Sequence, residues 1–121
     1  MAMLKILFIG NSSTSSTSSH RANAIKRLGH DVRIEDPFKA FAKVLDSRLL
    51  GALHFRTGYR FLQPGMTNWI QRLIHTLTDK PDLLWVDSGE LLGPRCLEIL
   101  QKLGCPLVLY NLDDPTGNRD E

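Results

Sequence analysis

The sequence predicts an α/β fold, an open parallel sheet of about four strands in the spatial order 2-1-3-4 with helices on both faces. Three observations carry that prediction. Short apolar runs alternate with stretches of helical apolar spacing, as strands and crossover helices do. The first and third runs, LKILFI and LLWV, lack the polar alternation of a strand with one wet face, so they suit central strands buried on both sides. The length of 121 residues fits one domain with a real core rather than two.

Residues 4–9 form the first strand, ending at Gly10. An unbroken serine and threonine run follows, and then SHRANAIKRLGHDV, a helix that Ser19 would cap. Ala22, Ile25 and Leu28 make its inward stripe, and Gly29 supplies a left-handed end. Val32 and Ile34 alternate with charged residues in a more exposed second strand that Asp36-Pro37 ends. Phe38, Phe41, Ala42, Leu45, Leu49, Leu50 and Leu53 follow helical spacing, as do Trp69, Ile70, Leu73, Ile74 and Leu77, with Thr67 as the cap of the second stretch. Between these two covering helices RTGYRFLQPG, residues 56–65, reads as a surface connection, either anchored by its own aromatics or lying over a ligand or partner. Residues 83–86 are the third strand. Pro94 opens a helix whose Cys96, Leu97, Leu100 and Leu103 face inward, Gly104 ends it, and PLVLY is the fourth strand.

Fifteen lysines and arginines against thirteen acids leave a net charge of +2, and the bases are scattered. Neither a nucleic-acid stripe nor a membrane-surface helix is indicated, and the first apolar run is too short for a membrane span or a signal-peptide core. The chain reads as cytosolic. Cys96 and Cys105 lack the spacing of a zinc or redox motif and read as two separate thiols. His30, His54 and His75 read as surface or packing residues, and no metal-ligand spacing joins the histidines.

In the order 2-1-3-4 the chain switches direction between the first and third strands, and ligands of such sheets bind there, at the carboxyl ends. The segments at those ends are polar: residues 10–19, 87–90 and 111–114. Asn11, Ser12, Ser13, Thr14 and Ser19 bring hydroxyls and amides to a helix N-terminus, a setting that suits an anion, and Arg21 adds a charged donor. The run lacks both GxxxxGK[ST] and GxGxxG, so it is not a P-loop or a standard dinucleotide fingerprint. It is similar to the hydroxyl-rich phosphate loop of flavodoxins, without a pair of aromatic loops to hold a flavin. A flexible polar loop is the other reading. His20 is a general base, a phosphate or sugar donor, or an exposed residue of the first turn. Asp87, Ser88, Glu90 and Asp113 could meet sugar hydroxyls or orient His20; capping of their own loops is the competing role.

MLKILFIGNSS, SSHRANAIKRLGHDV, DLLWVDSGELLGP and PLVLYNLDDPTGNRD together resemble the N-terminal half of GT-B glycosyltransferases, nearest the spore-maturation (CgeB-type) group. The resemblance implies a Rossmann-like domain and sugar transfer from a nucleotide-sugar donor to an unidentified acceptor, with no metal and no cofactor required. It places Asn11 to Ser19, His20, Asp87, Ser88, Glu90 and Asp113 on the acceptor side of a cleft; His20 is the expected base by its position at a helix N-terminus, not by the family pattern. The family continues beyond the fourth strand with further strands and a second domain. The expectation is therefore a half fold, inactive or weakly active by itself, that needs a C-terminal domain in cis or a partner chain. A homodimer through the edge strand is a further expectation. The alternatives are a flavin or phosphate-ligand binding domain and a non-enzymatic interaction module.

Overall fold

A computed structural model describes residues 3–87 and 91–110 of the chain. Four strands, β1 (Lys5–Ile9), β2 (Asp31–Glu35), β3 (Leu83–Asp87) and β4 (Leu107–Tyr110), form one sheet in the order β2-β1-β3-β4. Every pairing is parallel, so the expected fold class and strand order are observed. The two central strands are the two apolar runs: Ile6, Leu7, Phe8 and Ile9 are all buried, as are Leu84 and Val86. Parallel strands without polar alternation are stable only when both faces are covered, and here they are.

Helix α1 (Thr17–Arg27) lies on one face, where Ala22 and the half-buried Ile25 meet Ile6, Phe8 and Val32. The other face carries the larger core. There Leu7, Ile9, Leu84 and Val86 pack with Met66, Ile70 and Leu73 of α5 (Gln63–His75) and with Cys96 and Leu100 of α6 (Pro94–Gln101). Leu97 and Leu103 pack at its margin, and both cysteines are free thiols. Gly29 and Gly104 turn the chain after α1 and α6 with φ of +100° and +79°, the left-handed conformation that a glycine adopts without a Cβ penalty.

Several local expectations are corrected. Helix α1 begins before Ser19: its N-cap is Ser16, whose Oγ accepts from Ser19 N at 3.0 Å. Ser16 prevails because its hydroxyl also lies 2.8 Å from the carbonyls of Asn11 and Ser13, and its own N–H closes a turn onto Ser13. Leu28 is 70% exposed rather than part of the inward stripe, because it is the C-cap, one residue past the last helical turn.

The middle of the chain differs most. One predicted helix is three, α2 (Pro37–Ala40), α3 (Ala42–Leu45) and α4 (Arg48–Arg56), with Ser47 capping the last at Leu50 N. Asp36-Pro37, read as a strand end, is also a helix start. Asp36 caps Lys39 N at 3.2 Å and Pro37 takes the first turn, where a missing N–H costs nothing. Residues 56–65 are not a loop throughout: they contain a 3-10 turn (Arg60–Leu62) and the first turn of α5. Thr67 is inside that helix and is not its cap, because Pro64 already presets the first turn. Among the described residues no helix is long and apolar enough to cross a membrane.

Candidate functional site

At the carboxyl rim, between β1 and β3, the chain brings four segments together. Gly10 ends β1 and hydrogen-bonds to the carbonyl of Glu35 at 3.0 Å, which ties the rim to β2. A Cβ on Gly10 would stand 3.0 Å from the Phe8 ring and 3.1 Å from Asp87 Cβ, so the close approach of β1, β3 and α1 needs the absent side chain.

The serine run then folds on itself. Ser12 donates through both its N–H and its hydroxyl to Asp36 Oδ2, each at 2.8 Å. Ser13 N donates to Asn11 Oδ1 at 2.9 Å, and Ser13 Oγ lies 3.2 Å from Ser15 Oγ. Thr14 is exposed, while Ser18 and Ser19 are buried in the first turn of α1. The loop is therefore a structured lip, and Asp36 is the anchor that sequence reasoning missed. An aspartate directly before a proline at a strand end signals the helix start that Asp36 caps, but carries no signal of the bond to Ser12.

The strongest electrostatic feature of the rim joins Arg21 to Asp87. Arg21 donates Nε–H to Asp87 Oδ2 at 2.7 Å and Nη2–H to Oδ1 at 3.0 Å, a two-pronged pair between α1 and the last residue of β3. The Asp87 side chain is fully buried and the Arg21 side chain 22% exposed. The side-chain hydrogen bond to Asp87 raises the Arg21 guanidinium above its ordinary value; partial burial opposes that, and attraction to Asp87 and Tyr110 adds to it.

Arg21 also lies 4.1 Å over the Tyr110 ring. Tyr110 stacks on Trp85 with centroids 6.0 Å apart, and Trp85 on Phe8 at 6.1 Å. An aromatic row thus runs across β1, β3 and β4 on the α1 face and ends under a cation. Trp85 Nε1 in that row is buried without a hydrogen-bond partner among the described residues.

Of the expected site residues, Asn11, Ser12, Ser13, Thr14, Ser19, His20, Arg21 and Asp87 gather at this rim. Arg21 and Asp87 are joined to each other, not held open. His20 is exposed in the first turn of α1, next to the anchored Arg21. Ser88, Glu90 and Asp113 lie outside the described residues. His30 Nδ1 accepts from Leu4 N at 3.1 Å and His75 is exposed, while His54 is buried with no partner for Nδ1 among the described residues.

One further residue shapes the rim from behind. The Gln63 amide donates to the carbonyls of Tyr59 and Leu91, each at 3.0 Å, and accepts from Gly93 N at 2.8 Å. It fastens the start of α5 to the chain that follows β3. Among the described residues no group of three His, Cys, Asp or Glu side chains could hold a metal ion. Among the described residues, surface grooves include one at the amino ends of β1 and β2 and one between α5 and α6.

Fold and rim define a parallel, Rossmann-like α/β domain with its polar segments at the topological switch point. Comparison with family models, curated proteins and solved structures finds no match for this chain.

Proposed function

We propose that the chain is the acceptor-side domain of a glycosyltransferase that moves a sugar from a nucleotide-sugar donor. The observation that carries this reading is the convergence, at the β1/β3 switch point, of the structured serine lip, the exposed His20 and the buried Arg21–Asp87 pair. The resemblance of the four motifs to GT-B enzymes supplies the reaction class, because a fold of this kind hosts many chemistries.

In this reading His20 takes the proton from the acceptor hydroxyl as its oxygen attacks the anomeric carbon. The bond from that carbon to the diphosphate breaks, and the nucleoside diphosphate leaves with the electron pair. Arg21 and Asp87 are positioning residues: their pair pins α1 to β3, and His20 is one residue from that pin. The serine lip offers hydroxyls to acceptor or diphosphate oxygens. In this reading the donor's nucleotide is held by a C-terminal domain in cis or by a partner chain, which could pair with β4, an edge strand among the described residues. The reaction would run in the cytosol with no metal or other cofactor.

The test is an amide chemical-shift titration of the isotopically labelled chain with uridine diphosphate glucose, with free hexoses and, separately, with flavin mononucleotide. Shifts confined to residues 10–21 and 85–87 with a sugar ligand support the reading. An unmoved rim with every sugar ligand overturns it, and tight flavin binding at the same residues transfers the site to a flavodoxin-like function.

A further inference from the structure

Helix α4 is inside out. Its one buried residue is His54, while Leu49 is 79% exposed and Leu50 and Leu53 are exposed as well. Positions 49, 53 and 56 lie on one side of a helix, so Leu49, Leu53 and Arg56 share the outward face. The inward side is taken by His54 and by Gly51, whose missing Cβ lets α4 close against the Leu45 carbonyl. Phe55, near the end of α4, is 64% exposed, and Phe61, in the 3-10 turn that follows, is 60% exposed and continues the apolar surface beyond the helix. Isolated exposed leucines are ordinary, but five large apolar side chains over thirteen consecutive residues mark a surface that something covers.

Charge says what covers it. Residues 37–63 contain five cations, Lys39, Lys43, Arg48, Arg56 and Arg60, against one acid, Asp46, and all six are exposed. The segment is therefore +4 (five minus one) on a chain whose whole formal charge is +2. Arg60 lies 5.3 Å over the Phe61 ring, so cation and apolar side chain are interleaved rather than in separate zones. Leucine and phenylalanine set among arginine and lysine on a short surface helix suit the boundary of an anionic bilayer: the apolar groups enter the acyl edge and the cations meet lipid phosphates. A second copy fits less well, because a two-fold contact over this face would bring the Arg48 and Arg56 cations of the two copies together.

We infer that residues 37–63 are a docking surface for an anionic membrane. Helix α4, at nine residues, lies in the interface and does not span it. The placement links the surface to the rim. The segment leaves the carboxyl end of β2 and returns at Gln63, which is bonded to Leu91 and Gly93 beyond the carboxyl end of β3. A docked domain thus presents its candidate site beside the lipid surface, where an acceptor carried on a lipid would be met. The docking surface itself does not depend on the glycosyltransferase reading.

The experiment is vesicle co-sedimentation of the full chain, comparing vesicles of pure phosphatidylcholine with vesicles in which one third of the lipid is phosphatidylglycerol. Binding to the anionic vesicles that weakens with added salt is expected. Leu49→Ser with Leu53→Ser should lower the affinity roughly tenfold, and Arg48→Gln, Arg56→Gln and Arg60→Gln together on the order of 100-fold. All five sites are exposed, and circular dichroism verifies that the variants are folded. Absence of binding at low salt overturns the inference, as does binding that the leucine substitutions leave unchanged. Concentration-dependent dimerisation abolished by the leucine substitutions, without vesicle binding, assigns the face to a second copy and overturns it too.

Discussion

Removing one partner of the Arg21–Asp87 pair should be far from symmetric. The Asp87 side chain has no exposed surface, whereas Arg21 keeps 22% of its side chain in water. Arg21→Met keeps an aliphatic stem but removes the guanidinium from Tyr110 and leaves the carboxylate buried without either of the two hydrogen bonds from Arg21. Breaking a buried pair in this way costs about 3–5 kcal/mol. Asp87→Asn removes the opposite charge from a guanidinium that can turn its free donors to solvent, and the asparagine oxygen still accepts one bond; the expected cost is about 1–2 kcal/mol. Urea unfolding followed by far-ultraviolet circular dichroism measures both without depending on Trp85, which stacks on Tyr110. Equal losses, or a larger loss for Asp87→Asn, would refute the argument that burial of the carboxylate dominates.

Three further outcomes follow from the same geometry. Ser16→Ala should cost about 1 kcal/mol in the same assay and Ser19→Ala clearly less, because Ser16 holds the N-cap bond and Ser19 is an interior position of the first turn. Gly10→Ala should destabilise by about 1–3 kcal/mol, since its methyl would press on the Phe8 ring and Asp87 Cβ, neither of which is the free end of a flexible chain; a neutral result would mean that β1 and β3 can move apart. The raised Arg21 value has a fixed sign. Its stabilisation is fully present below the ordinary arginine value and is lost only as pH climbs through the raised one, so Arg21's own titration should add no slope to stability between neutral pH and the ordinary arginine value. Comparing the pH profiles of the wild-type chain and Arg21→Met tests this: a difference that changes through the mildly alkaline range would contradict it.

The parallel sheet, its order and the rim at the β1/β3 switch were legible in the chain because they depend on patterns that survive in one dimension. LKILFI and LLWV are short apolar runs bounded by turn and polar residues, as strands covered on both faces are. Gly29 and Gly104 likewise mark their helix ends through a conformational freedom that belongs to the residue itself. The candidate site was legible as a neighbourhood rather than as a geometry. That Ser12, Arg21 and Asp87 share a rim follows from strand order, but nothing local says that Arg21 is spent on Asp87 or that Ser12 is held by Asp36. Those bonds join residues 66 and 24 positions apart, and their partners are chosen by how α1 and β2 sit on the sheet.

The same limit explains the middle of the chain. Phe41, Leu45, Leu49 and Leu53 keep a helical period, so sequence alone reads one inward stripe. The break at Asp46-Ser47 resets the helix direction, and the packing of Gly51 on Leu45 then turns Leu49 and Leu53 to the outside. Periodicity determines that a helix has an apolar face. Which way that face points is decided only when the helix is docked, because the direction is set by contacts with other elements and not by the spacing along its own chain.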